Sequence, residues 1–123
     1  MGKLAEYKKH WQIKEAEEAA AGEILRAKAF KTAKLLTDIL VTEFGVKRVI
    51  LFGSALQKHG FDRESDIDLA VEGLEKGFYF SALARLMMES PFEVDMKPIE
   101  SVKTLLKDRI KKGVILYEKR NAS

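Results

Sequence analysis

The densest chemistry in this sequence lies in Asp66-Ile67-Asp68. On a β-strand, residues i and i+2 point to the same face and sit roughly 6.5–7 Å apart along the chain. Asp66 and Asp68 therefore share one face, and Ile67, Leu69 and Val71 share the other. The segment Phe92–Lys97 repeats the pattern, with Glu93, Asp95 and Lys97 on one side and Phe92, Val94 and Met96 on the other. If these strands are neighbours in one sheet, three or four carboxylates gather on its acidic side. Two unit charges about 4 Å apart repel by ~1 kcal/mol in water and ~4 kcal/mol at a surface of moderate dielectric. Such a cluster either raises a pKa or binds a compensating cation. Hard carboxylate oxygens suit Mg²⁺, which commonly shares its shell with substrate phosphates. Two such ions held by three carboxylates would clamp both sides of an in-line phosphoryl or nucleotidyl displacement.

A second feature, Phe52-Gly53-Ser54, follows an apolar run. Glycine there lets backbone approach a ligand, and the following N–H groups and the serine hydroxyl can donate to phosphate oxygens. It is not a Walker A loop, because no Gly-Lys-Ser/Thr follows, nor a G-x-G-x-x-G dinucleotide fingerprint. Each piece also has a plainer reading. An isolated Asp-x-Asp is commonly a solvated strand edge, and Ser54 can simply cap a helix. Glu93 reads as a solvated neighbour of Asp95 and His59 as a loop histidine. Lys97, on the Asp95 side, either offsets acidic charge or meets a phosphate.

The surrounding elements must hold these residues in place. The first 44 residues lack proline and are rich in Ala, Glu, Lys and Leu, which favour helix. Ile24/Leu25, Ala29, Thr32/Ala33, Leu36, Ile39/Leu40 and Phe44 keep a helical spacing, predicting a core-packed helix over 23–44. Residues 3–21 form a separate or continuing helix, its stripe Leu4, Tyr7, Trp11 either folding back or offering a surface for a partner or for self-association. Gly45 caps the helix. Strands are expected over 46–52, 66–72, 92–97 and 114–117, and further helices over 78–89 and 99–112, with a turn, a short helix and a loop over 53–64. This order predicts an α/β (α+β) fold: a small mixed β-sheet, helices on one face and an acidic edge on the other. The expected division is an N-terminal helical extension, 1–22, before a single domain, 23–123.

Composition bounds the partners. A net charge of +3 from 22 basic and 19 acidic residues is too small for a nucleic-acid scavenger, although it leaves room for a phosphate-bearing ligand. With no cysteine there is no disulfide scaffold, thiol nucleophile or Cys-based zinc site. No apolar run spans a membrane and no signal peptide is legible, so a cytoplasmic protein is expected.

Taken together, Gly53-Ser54, an eleven-residue spacer, Asp66-Ile67-Asp68-Leu69 and the later Val94-Asp95-Met96 strand form a specific combination. It resembles the DNA polymerase beta-like nucleotidyltransferase superfamily, in particular its minimal members of the MntA type, over about Val46 to Tyr117. The resemblance implies that Gly53 and Ser54 hold the triphosphate of an incoming nucleotide. It implies that Asp66 and Asp68 ligate two Mg²⁺ ions (Mn²⁺ being an alternative). Asp95 would complete the metal site and help deprotonate an acceptor hydroxyl, which attacks the α-phosphorus and expels pyrophosphate. Many minimal members carry an arginine shortly after Gly-Ser. This chain has Ala55-Leu56-Gln57-Lys58-His59-Gly60 there, leaving Lys58 or Arg63 as the substitute cation.

The implied function is Mg²⁺-dependent transfer of a nucleoside monophosphate, AMP from ATP, to a hydroxyl. Little chain remains to build an acceptor domain, so the expected acceptor is a second protein. In this family that is a small all-helical HEPN-type toxin, modified on a tyrosine and so silenced. Two rivals remain. One is a nucleotidyltransferase fold that has lost catalysis and neutralises a partner by binding alone. The other is an enzyme acting on a small molecule or an RNA end, the latter disfavoured by the near-balanced charge.

Overall fold

The computed structural model describes residues 2–57, 61 and 64–120, with side chains from residue 20 onward and at Glu17. An uninterrupted run of good helix formers gives one continuous helix, α1 (Gly2–Phe44), so of the two arrangements expected for residues 3–21 it is the continuing one. Its inner face follows the predicted stripe from Leu25 onward, whereas Ile24 is 70% exposed. Ala29, Ala33, Leu36 and Leu40 recur every three or four residues and are fully buried. The buried Thr32 and Thr37 satisfy their hydroxyls on the carbonyls of Lys28 and Ala33, at 2.8 and 2.7 Å. Gly45 stops the helix with φ +65°, and the amides of Gly45 and Val46 turn back onto the carbonyls of Val41 and Leu40. The side chains of Leu4, Tyr7 and Trp11 lie outside the described residues.

Four strands follow: β1 (Arg48–Phe52), β2 (Ile67–Glu72), β3 (Val94–Pro98) and β4 (Val114–Glu118), in sheet order β3-β2-β1-β4. β1 runs antiparallel to both β2 and β4, whereas β2 and β3 are parallel. A parallel step needs a crossover, supplied by α2 (Tyr79–Glu89). The final helix, α3 (Thr104–Lys111), is shorter than the expected 99–112. Pro98 ends β3, a 3₁₀ turn covers Ile99–Ser101, and Val102 and Lys103 are extended before α3 begins.

The mixed sheet and α+β architecture agree with the sequence expectation. The main core lies where α1 and α2 cover one sheet face. There Val49, Leu51, Ile67, Leu69, Val71, Val94 and Met96 meet Leu36, Leu40, Ala82 and Leu86. α3 is the exception to the expectation of helices on one face. Ile110, supported by Val102 and Leu106, packs with Ile50, Phe52 and Ala70 in a separate cluster on the acidic side of the sheet. The cause is legible in β1. Val49-Ile50-Leu51-Phe52 is apolar on both faces, so a strand in the middle of the sheet needs cover on both. Among the described residues, no helix is long and apolar enough to cross a membrane.

Candidate active site

Strand register brings the predicted residues together. Phe52 pairs with Asp68 across the antiparallel step, and Asp68 pairs with Asp95 across the parallel one. Paired residues on neighbouring strands lie about 5 Å apart and face the same way. The end of β1, Asp68 and Asp95 therefore form one row across three strands. Asp66 sits immediately before β2, exposed to solvent. The mouth of β2 is tied to β3 by the Ile67 amide, which donates to the Glu93 carbonyl at 2.8 Å. The Glu93 side chain is exposed. Above β3, the Tyr79 hydroxyl donates to the Met96 carbonyl at 2.7 Å, fixing the edge strand one residue from Asp95.

Gly53 begins a 3₁₀ turn, Gly53–Leu56, directly off the end of β1. Its φ of +79° is open to glycine and strained for other residues. A β-carbon there would fall on the Asp68 Oδ2 atom and 2.9 Å from its Cγ. The missing side chain thus lets turn and carboxylate touch. The Ser54 amide donates to the Asp68 carboxylate, and the Ser54 hydroxyl lies 3.5 Å from the Asp66 carbonyl. Ser54 thereby bridges to both ends of the Asp-x-Asp segment.

The electrostatics single out Asp68. Its carboxyl is pushed up to about 6, first by burial, then by the charges of Asp95 and Asp66. Arg109, on α3, and the Ser54 amide pull in the opposite direction. Lys97 Nζ stands 3.4 Å from Asp95 Oδ1, so its charge offsets that carboxylate. Arg109 is a cation that sequence reasoning did not single out. Its influence follows from α3 lying on the acidic face, which only the two-sided apolar character of β1 announced. Lys58 and Arg63, the predicted phosphate-neutralising cations, lie outside the described residues, as does His59.

The donor chemistry fits a divalent cation that keeps much of its shell for water and phosphate. The donors are all hard carboxylate oxygens, and the strained Asp68 carboxylate is one whose charge a cation would relieve. Among the described residues, no group of three or more His, Cys, Asp or Glu side chains is arranged to hold a metal ion by itself. The arrangement is a side-by-side pair, Asp68 and Asp95, with Asp66 beside it.

Solved structures share this fold. The chain is similar to one in a toxin–antitoxin structure with AMP-PNP, at 24% identity and a TM-score of 0.60, covering 71% of this chain and 74% of that one. It is similar to one in a complex described as tri-AMPylated Shewanella oneidensis HEPN toxin with MNT antitoxin, at 21% identity and TM-score 0.58, covering 74% and 73%. A MntA–HepT toxin–antitoxin structure matches at 20% identity and TM-score 0.54, covering 73% and 72%. No curated protein matches the chain. The family model for "Polymerase beta, Nucleotidyltransferase" matches residues 34–122, which include the sheet, the Gly53-Ser54 turn and all three aspartates. The chain therefore belongs to the polymerase beta nucleotidyltransferase family.

Proposed function

We propose that this chain transfers AMP from ATP, with Mg²⁺, onto a hydroxyl of a partner protein, a tyrosine of a small helical HEPN-type toxin, and acts as its antitoxin. The observation that carries the reading is the register row itself. Asp68 and Asp95 stand side by side at the mouth of the sheet, and the Gly53-Ser54 turn touches Asp68. In this reading the Gly53 amide and the Ser54 hydroxyl orient the triphosphate, while the Ser54 amide holds the Asp68 carboxylate. Asp66, Asp68 and Asp95 hold the cations. Bound Mg²⁺ supplies charge neutralisation at the phosphates and polarises the reacting phosphorus. Asp95 takes the proton of the acceptor hydroxyl, whose oxygen bonds to the α-phosphorus while the bond to pyrophosphate breaks.

The acceptor class is supported by the company the fold keeps. The similar structures are toxin–antitoxin complexes, one with AMP-PNP and one with an AMPylated HEPN toxin. The deciding experiment incubates the chain with α-labelled ATP, Mg²⁺ and a HEPN-type partner. Label is expected on a partner tyrosine, absent with Asp66→Asn and reduced roughly 10²–10⁴-fold with Asp95→Asn. Mg²⁺-dependent ATP binding without transfer to the toxin would overturn the enzymatic reading in favour of neutralisation by binding. One observation favours that second reading: the stretch Ala55 to Gly60, shortly after Gly-Ser, where many minimal members carry an arginine, has none.

A further inference from the structure

A four-residue 3₁₀ turn cannot hold its own geometry. It closes few hydrogen bonds of its own, and its end groups need partners from elsewhere. The turn Gly53–Leu56 has such partners at both ends. At its amide end Ser54 N–H meets the Asp68 carboxylate. At its carbonyl end the Ala55 carbonyl accepts Arg26 Nε–H at 2.8 Å, while the turn's own bond runs from the Gln57 amide to the Ser54 carbonyl at 3.1 Å. Arg26 comes from α1, twenty-nine residues away in sequence. Its guanidinium is itself held, 3.7 Å from Glu23 Oε1 and 5.8 Å from the centre of the Phe30 ring. Gly22, one helical turn earlier, faces the Phe61 carbonyl of the same loop, 3.5 Å from where a β-carbon would stand. The segment of α1 around 22–26 therefore meets this loop at two points, Ala55 and Phe61. It also lies upstream of the residues matched by the family model.

We infer that Arg26 is a positioning residue for nucleotide binding: a clamp that fixes the carbonyl end of the Gly53–Leu56 turn, so that its amide end faces the carboxylate row. In a helical turn, carbonyls and amides point in opposite directions along one axis. A cationic donor on the Ala55 carbonyl therefore sets the aim of the Gly53 and Ser54 amides at the other end. A hydrogen bond with one charged partner is among the stronger kinds. The inference rests on reading this turn as the seat of the triphosphate, and it adds α1 to the machinery of that seat.

Two measurements on the full chain test it. The first needs no nucleotide. In Arg26→Ala, amide exchange at Ser54–Gln57 accelerates about tenfold or more while the amides of β1 and β2 are unchanged. Unchanged exchange at the turn overturns the clamp. The second is ATP binding with Mg²⁺ by calorimetry, followed by transfer kinetics. Arg26→Ala weakens ATP binding and raises KM about tenfold with kcat within about twofold. Arg26→Lys, which keeps a cationic donor, recovers part of the loss. Lys31→Ala, an exposed cation on the same helix, changes neither quantity. An equal effect from Lys31→Ala shows bulk charge at work and overturns the clamp's role in binding. If the unsubstituted chain binds no ATP yet Arg26→Ala still frees the turn, the clamp is supported and the phosphate reading of the turn is overturned.

Discussion

The Asp68 carboxylate occupies the space that a side chain on residue 53 would need. Gly53 meets it with a φ of +79°, and a β-carbon there would overlap Asp68 Oδ2. Two separate costs then fall on any substitution: a left-handed backbone and a collision with the central carboxylate. Gly53→Ala is expected to lose about 1–3 kcal/mol of stability in urea unfolding. It should also lose Mg²⁺-dependent ATP binding. Gly77 is the matched control, since its φ is ordinary and a β-carbon there meets nothing within 4 Å. Gly77→Ala should stay within about 0.5 kcal/mol of the parent. Equal effects at the two glycines would refute the contact.

The position of Asp68 also sets a pH dependence. Its folded carboxyl titrates at about 6, above the ordinary 3.8, so the folded chain holds the proton more tightly than the unfolded one. Its contribution to stability is therefore fully present below about pH 4 and is lost as pH rises through about 6. Because the half-buried group is screened by water, the loss amounts to ~1–2 kcal/mol. Asp68→Asn removes this segment of the curve and should be more stable than the parent at pH 7, by a similar amount. Denaturant midpoints from pH 4 to pH 8, without added metal, measure it. An Asp68→Asn chain that is less stable at pH 7 would contradict the origin given for the shift.

The neighbours of Asp68 should move its titration in opposite directions. Asp95 and Asp66 raise it and Arg109 lowers it. In carbon-13 titrations of the side-chain carboxyls, Asp95→Asn is expected to bring the Asp68 pKa down and Arg109→Ala to push it higher still. Arg109 is exposed and Asp95 half-buried, so neither substitution should unfold the chain. A titration of Asp68 indifferent to Asp95 would mean that the register pair is not an electrostatic pair.

How much of this was legible beforehand differs from residue to residue. Period-two alternation placed Asp66, Asp68 and Asp95 on one face and their apolar neighbours on the other, and the sheet follows that parity. The Gly53-Ser54 turn announced itself by glycine, because only a missing β-carbon suits that backbone. Long-range choices were less visible. Arg26 is one arginine among many helix-forming residues, and its bond to Ala55 depends on how α1 lies over the loop. Arg109 matters because α3 crosses to the acidic face to cover Ile50 and Phe52. The sequence pattern announced a helix in this region without saying which side of the sheet would receive it, and Leu105 of that helix is left exposed.

Asp95 is held on β3 by one strand ladder and one side-chain bond. Among the described residues β3 is an edge strand, paired with β2 alone, and an edge strand lacks the second ladder that anchors a central one. The Tyr79 hydroxyl, part-buried at the start of α2, supplies an anchor by donating to the Met96 carbonyl at 2.7 Å. Tyr79→Phe keeps the ring packed against the core and removes only that bond. The expected loss is ~1 kcal/mol of global stability. Amide exchange should rise at Met96 and Lys97 beyond that global change, while β1 follows it alone. The same substitution should lower nucleotidyl transfer by less than Asp95→Asn, because the carboxylate remains and only its support loosens. Uniform exchange changes across β1 and β3 would assign Tyr79 to general packing and remove it from the support of the site.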